Sequence, residues 1–301
     1  MRYTLRQLQV FLATARHENV TRAAQALAMS QSAASGALSE LENQFDIKLF
    51  DRLGKRLQLS ELGKQLRPEA ERLLEQATSF EQNLSGDNVI GGLRIGATLT
   101  IGNYVAVNMI ADYKRLHPMA DIALQVANTQ SIAEQVASFE LDMGLIEGEL
   151  AHADLNIAHW RQDELVVFAA PDHYLATSEQ ITNKDLLKQR WIVREQGSGT
   201  RQAFDRAMQG ILPDLYIAME LQHTEAIKRA VEAGLGVGCL SKICLSDAFR
   251  RGSLVPLSVP DRDFQREWYL ITHRHKFQSA ALKEWLDLCQ GRWSGGSPRP
   301  V

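Results

Sequence analysis

Residues 21–42, TRAAQALAMSQSAASGALSELE, are almost all small, and this restricts what they can build. Side chains this short let helix axes approach closely and hide little apolar area of their own. Just upstream, Leu5, Leu8, Leu12 and Ala15 recur at three- and four-residue steps, with Phe11 widening the stripe, which predicts a first helix. Thr21 is the expected cap of a short second helix that turns Ala24 and Leu27 inward. Ser30 is the expected cap of a third, on which Ala34, Leu38, Leu41 and Phe45 form one buried stripe. Three short helices with a tight turn near Ala28-Met29 are the layout of a helix-turn-helix.

The opposite face of the third helix carries Gln31, Ser32, Ser35 and Ser39. A helix in the DNA major groove must come close to base edges, and short polar side chains permit it; Gln pairs with adenine at two points and Ser with either kind of group. The alanines are packing residues, but serine gains little on an exposed helix surface. Gly36 costs about 1 kcal/mol relative to Ala in a helix interior. It reads either as close backbone approach or as tolerated drift. Next, Leu49-Phe50 and Leu57-Gln58-Leu59 predict a hairpin whose loop holds Arg52, Lys55 and Arg56, a wing suited with Thr21 to hold phosphates. Residues 1–67 hold ten Lys or Arg against six Asp or Glu, whereas the whole chain has a formal charge of −3, so the basic head sits on an acidic body.

From Glu61 to about Ser85 the pattern is helical again. Leu66, Ala70, Leu73, Ala77, Phe80 and Leu84 step by fours and threes, a heptad seam that calls for a partner helix and predicts dimerisation. Pro68 interrupts it, so a bend, or a helix start near that point, is expected. SGDNVIGG then forms a linker.

Residues 93 to about 290 alternate short apolar runs with helical stretches. Strands are expected at 93–97, 122–126, 143–146, 165–169, 191–193, 218–221, 237–240 and 267–272, and helices at 103–116, 131–139, 200–209, 224–233 and 279–289. The reading is an α/β body with a mostly parallel sheet, either single or divided into two lobes, and a disordered tail, GRWSGGSPRPV.

At this point the head resembles the DNA-binding domain of LysR-type transcriptional regulators over about sixty contiguous residues, carried by the skeleton AA..L..SQSA.S..L..LE......LF.R. TLTIGNY, IEG, DELVVFAAP, REQGSGTRQ and EAIKRAVEAGLGVGCLS look closest to the YeiE-like branch. The resemblance implies a winged helix-turn-helix over 1–60, a linker and dimerisation helix over 61–90, and a two-lobed α/β effector domain over 91–290, like the type 2 periplasmic binding proteins. Lobe one is expected at 91–162 plus 268–290 and lobe two at 163–267, with 291–301 as tail. Double-stranded DNA is the implied partner, alongside a second copy, a dimer of dimers and RNA polymerase.

A ligand cleft is expected between the lobes, at strand ends and the helices that follow. Thr98, Thr100 and Ile101 line it from one lobe, and Gly197, Ser198, Thr200 and Arg201 from the other. Asn128, Thr129 and Thr224 add polar groups. Hydroxyls at helix starts suit a small organic or inorganic anion, although these threonines can equally be plain helix caps. Glu147 enters by family position, and it either orients Arg201, stays protonated or meets a ligand amine. Binding is expected to shift the lobe angle and hence the spacing of the DNA heads.

An enzyme is not expected, nor a cofactor or a metal. The sequence has no GxSxG elbow, HExxH, Walker loop or CxxC. His273 and His275 lack a supporting ligand, and Gly234, Gly236 and Gly238 precede a strand instead of following one. A small-molecule-binding protein or enzyme with an incidental DNA-binding head is the rival class. Cys239, Cys244 and Cys289 read as buried free thiols, and with no signal peptide or apolar span the expected setting is cytoplasmic.

Overall fold

The computed structural model describes residues 2–53, 56–84 and 92–291. These fall into two compact units. One takes in the head, the long helix and the stretch Arg274–Lys283; the other runs from Gly92 to His273 and resumes at Glu284.

In the first unit, α1 (Leu5–His17), α2 (Val20–Ala26) and α3 (Gln31–Phe45) are the three expected helices. Thr4 opens α1 with a capping box to Gln7, and Ser30 opens α3 by accepting from Ala33 N. The cap of α2 is Asn19, whose Oδ1 accepts from Arg22 N at 3.1 Å. Thr21 therefore lies inside the first turn, not at the cap. The helical residues begin at Val20, so the cap position falls on Asn19, one of the preferred N-cap residue types. The turn between α2 and α3 passes through Ala28 at φ 52°.

Val10, Phe11, Leu12, Ala24, Ala34, Leu38, Leu41, Leu49 and Phe50 form the core of this unit. Burying a side chain such as Phe11 contributes about 1.5–3 kcal/mol. Phe45 departs from the predicted stripe. It is 41% exposed and meets Tyr3 at a ring distance of 6.5 Å, because it falls in the last turn of α3 beyond the core. The wing is an antiparallel pair, β1 (Phe50–Leu53) and β2 (Arg56–Leu59).

Helix α4 (Glu61–Leu84) runs through Pro68 without a break and starts well before it. Its expected seam divides. Ala70 is buried, with Leu66 and Leu74 packed around it, in the core of the head itself, so Leu66 and Ala70 are not free for a second chain. Further along, Leu73, Phe80 and Leu84 remain 38%, 65% and 71% exposed, and Ala77 is half-buried.

The second unit is a mixed nine-stranded sheet in which two long strands join two lobes. In lobe one, β3 (Leu93–Thr98) lies between β4 (Ile122–Ala127) and β5 (Met143–Glu147), all parallel. In lobe two, β7 (Arg190–Arg194) lies parallel between β8 (Tyr216–Leu221) and β9 (Val237–Ser241). Strand β6 (Leu155–Ala169) belongs to both: its first part pairs with β11 (Gln265–His273), its last with β9 and β10 (Val255–Leu257). These joining contacts are antiparallel, which corrects the mostly parallel expectation. At a bulge, Trp160 is the extra residue beside the Arg161 and Trp268 pair.

Helices cover the sheet. Leu99–Ile101 (α5) continues through a π turn, Gly102–Ala106, into α6 (Val107–Leu116), so this helix starts four residues earlier than expected. Then follow α7 (Thr129–Ala137), α8 (Asn183–Leu187), α9 (Gly199–Ala207), α10 (Thr224–Glu232), α11 (Lys242–Arg251) and α12 (Ala280–Cys289). Of the expected linker at 85–92 and tail at 291–301, residues 85–91 and 292–301 lie outside the described residues.

Candidate functional site

On α3 the polar face forms as its spacing requires. Gln31, Ser32 and Ser39 are exposed and Ser35 is half-buried, opposite the buried Ala34, Leu38 and Leu41. Gly36 lies in the same exposed patch, and a Cβ built on it meets nothing within 4 Å. Arg52 and Arg56 are exposed on β1 and β2, opposite Leu57 and Leu53, while Lys55 lies outside the described residues. Thr21 is exposed beside Arg22, a cation that the sequence reading passed over.

The lobe junction holds a buried polar cluster built on a residue the sequence reading missed. Arg266 on β11 meets Glu147 and Asp163 at 2.6 Å each. Its Nε donates to Asp163 at 2.7 Å and its Nη1 to Thr200 Oγ1 at 2.9 Å. Thr100 and Thr200 each donate to Glu147 Oε1, at 3.2 and 3.4 Å, and Ser241 donates to Asp163 Oδ1 at 2.8 Å. The signal was available: Arg266 shares a period-two phase with buried Trp268 and Leu270.

Glu147 is therefore the partner of Arg266, not of Arg201. Arg201 instead pairs with Asp205 and Glu220 at 2.8 Å and donates to Arg194 O at 3.0 Å, which commits its guanidinium within lobe two. Those carboxylates lie on its own helix and on β8, and the side chain also lines the depression described below. Ile101 is fully buried and offers only its backbone.

One edge of the junction is closed by direct contacts. Thr129 Oγ1 donates to Glu147 O at 2.8 Å and accepts from Gly199 N at 3.2 Å. Gln130 N donates to Gly197 O, and Asn128 Nδ2 to Glu195 Oε1. A Cβ on Gly199 would fall 1.8 Å from Glu147 O, so only glycine fits there. Asn128 and Ser198 also cap α7 and α9, accepting from Ser131 N and Thr200 N. Their polar atoms are thus occupied. Outside this edge lies a depression of about 500 Å³ lined by the expected Thr129, Gly197, Ser198 and Arg201 together with Glu134, Glu149 and Asp205.

Two further candidates differ. The hydroxyls of Thr98 and Thr224 are buried and have no hydrogen-bond partner among the described residues. Neither Thr98 nor His223, which precede α5 and α10, makes a side-chain cap bond. The Tyr104 hydroxyl reaches α10 and α11, with Glu225 Oε1 at 3.4 Å and Cys244 O at 3.5 Å as alternative acceptors of its one proton. Lys228, one turn into α10, is buried and donates to Glu225. Burial, then the charge of Glu147, pushes the Cys244 thiol up to about 12, so it stays neutral.

A winged helix-turn-helix joined to two lobes that share long crossing strands around a polar junction defines a DNA-binding regulator with a ligand-sensing body. The chain belongs to the LysR family: residues 5–64 match the family's bacterial regulatory helix-turn-helix protein, and residues 86–294 match its substrate binding domain. It is a LysR-type DNA-binding transcriptional regulator with an effector-binding domain. The uncharacterized HTH-type transcriptional regulator YeiE of Escherichia coli is 44% identical over 289 residues, covering 96% of this chain and 98% of that one. This agrees with the branch suggested by TLTIGNY and its companion motifs. Among solved structures, full-length OxyR from Pseudomonas aeruginosa superposes with a TM-score of 0.72 at 20% identity, over 99% of this chain and 98% of that one. The regulatory domain of Synechocystis CcmR, in complex with 2-PG, gives 0.62 at 28% identity, over 68% of this chain and 98% of that one. No described helix is long and apolar enough to cross a membrane.

Proposed function

We propose that this regulator responds to a small anion held between the lobes by the hydroxyls of Thr98 and Thr224. The carrying observation is that these two buried hydroxyls alone among the candidate threonines lack a partner, next to helix starts without side-chain caps. A buried hydroxyl without a partner costs about 1–3 kcal/mol, which a bound oxygen ligand would recover. The N-terminal end of α10 adds favourable potential for negative charge, with the Glu225 of its first turn neutralised by Lys228. Ligand binding then shifts an existing equilibrium between lobe arrangements and does no chemistry.

In this reading residues 1–60 form the DNA head, 61–90 the dimerisation helix and hinge, and 91–290 the effector domain. Gln31, Ser32, Ser35 and Ser39 face base edges, while Thr21, Arg52, Lys55 and Arg56 face phosphates. Leu73, Phe80 and Leu84 take a second copy, in a dimer and then a dimer of dimers, with RNA polymerase as a further partner in the cytoplasm. The CcmR domain's complex with 2-PG supports a small-molecule ligand in this fold.

The test is a thermal-shift screen of small anions on wild type, Thr98→Val and Thr224→Val. Stabilisation of wild type that either substitution removes is the expected result. No stabilisation by any carboxylate or oxyanion would sink the proposal.

A further inference from the structure

The two lobes meet on both faces of the sheet, and the faces differ in what holds them. Successive residues of a strand point to opposite faces, which assigns each helix to one of them. In lobe one, a Cβ on Gly96 of β3 would press on Ile132 of α7, whereas its neighbour Ala97 lies against Gly102 of the π turn. In lobe two, Trp191 and Val193 of β7 pack with Phe204 of α9. Ile192 between them packs with Ile227 of α10 and Leu245 of α11. One face therefore joins α7 to α9 through Thr129 and Gly199, and the other joins the π turn to α10 and α11 through Tyr104.

On the α7–α9 face the lobes are joined through main chain. Besides the bonds of Thr129, Gln130 and Asn128, Gln202 of α9 accepts from Glu149 N at 2.7 Å and donates to Glu149 O at 3.0 Å. Arg206, one turn on, pairs with Glu149 at 2.7 Å. A Cβ on Gly148 would fall 2.8 Å from Gly199 Cα, so the two backbones touch. On the opposite face the polar contacts that cross, among the described residues, come from a hydroxyl and a thiol. Tyr104 finds its acceptors at 3.4 and 3.5 Å, beyond the range of about 2.5–3.0 Å for a good O–H···O bond. The Cys244 thiol lies against Thr100 and is a weak donor.

We propose that the lobes turn about the α7–α9 face and part at the Tyr104 face, with the Tyr104 hydroxyl as the clasp that lets go. A pivot keeps its contacts while a few nearby residues absorb the change in dihedral angles. Gly148 and Gly197, both at positive φ, flank this pivot and supply that freedom. Tyr104 itself stands on a π turn, a helical irregularity that gathers at functional sites. The inference concerns the lobe equilibrium and needs no ligand for its test, so it stands or falls separately from the anion site. Parting on this face uncovers Cys244, which is 1% exposed with the lobes together. Cys239, in the core of lobe two on the α9 side, and Cys289, buried at the end of α12, stay covered.

The experiment follows the labelling of the three native thiols of the full chain by N-ethylmaleimide at pH 7, with each product located by mass spectrometry. Cys244 is expected to label ahead of Cys239 and Cys289. Losing a hydrogen bond of ordinary net worth shifts a two-state population about two- to tenfold. Tyr104→Phe should therefore raise the Cys244 rate by that factor and leave the other two rates unchanged. Gln202→Ala loosens the pivot without touching the clasp, so Cys244 should label at the wild-type rate. Equal protection of all three thiols in wild type and in Tyr104→Phe would overturn the proposal. So would a Gln202→Ala variant that matches Tyr104→Phe at Cys244, because the lobes would then have no preferred side. A rise at all three cysteines in Tyr104→Phe is the pattern of global unfolding and would overturn it as well. Should Gln202→Ala not fold, the comparison of wild type with Tyr104→Phe still decides.

Discussion

Arg266 Nη2 lies 2.6 Å from Glu147 Oε2, and both side chains are 1% exposed. The two residues come from adjacent antiparallel strands, so the contact ties β11 to β5 at the lobe junction. Removing one partner of such a pair is asymmetric. Arg266→Met strands two carboxylates, Glu147 and Asp163, and is expected to cost about 3–5 kcal/mol. Glu147→Gln leaves a balanced pair and should cost far less. Urea midpoints of the two variants check this, and equal losses would contradict it.

Base reading and phosphate holding separate experimentally. Gln31→Ala is expected to relax sequence preference in a binding selection while keeping affinity for unrelated DNA. Arg52→Ala should weaken binding to every sequence and flatten the log–log salt dependence by about 0.9 if it holds one phosphate. An unchanged preference for Gln31→Ala would remove α3 as the reader.

Gly36 has no neighbour that a methyl group would meet. Gly36→Ala should therefore fold and gain about 1 kcal/mol of stability from helix propensity. If operator affinity falls while the melting temperature rises, the glycine serves backbone approach to DNA. Unchanged affinity would make it a tolerated weakness.

The divided seam on α4 predicts opposite outcomes at its two ends. Phe80→Asp and Leu84→Asp change exposed side chains and should leave the head folded while lowering the sedimentation coefficient of the assembly. Leu66→Asp introduces a charge beside buried Ala70 and should unfold the head. Intact assembly in the Phe80 and Leu84 variants would move the interface elsewhere.

Glu71 gives a pH signature in the first unit. Burial raises its pKa, only partly opposed by Arg16 and Arg67 at 3.7 and 4.0 Å, too far for good hydrogen bonds. A carboxyl with a raised value in the fold contributes stability below its unfolded value, near 4.5, and loses it as the pH rises. Glu71→Gln should accordingly melt higher than wild type at pH 7, with the advantage vanishing below pH 4.5. An advantage that persists at acid pH would exclude this cause.

The sequence was legible where one period governs a segment. The stripe on α3, the cap at Ser30 and the parallel blocks of both lobes follow from local pattern. It was less legible where long-range contact decides. Strand β6 begins LNIAHWRQDE, a polar stretch without clean alternation, because it spans the junction with only part of its length covered. The cleft residues showed the same limit. Thr98, Thr100, Thr200 and Thr224 look alike in sequence, and only the fold separates those bonded to Glu147 from those left free. Arg201 stood at the expected position, but Asp205 and Glu220 claim it through contacts that spacing alone did not weigh.

The crossing strands also fix an order of events at birth. Gly144–Glu147 of β5 pair with Trp268–Ile271 of β11, so lobe two is an insertion between the halves of lobe one. During synthesis β5 keeps an unpaired edge until the chain reaches residue 271, long after the head has its complete core. Such waiting edges are the places where a nascent chain meets the wrong neighbour. Truncations that stop before β11 should thus yield a working DNA head carrying an aggregation-prone remnant, whereas lobe two alone already owns the strands β7, β8 and β9 that it needs.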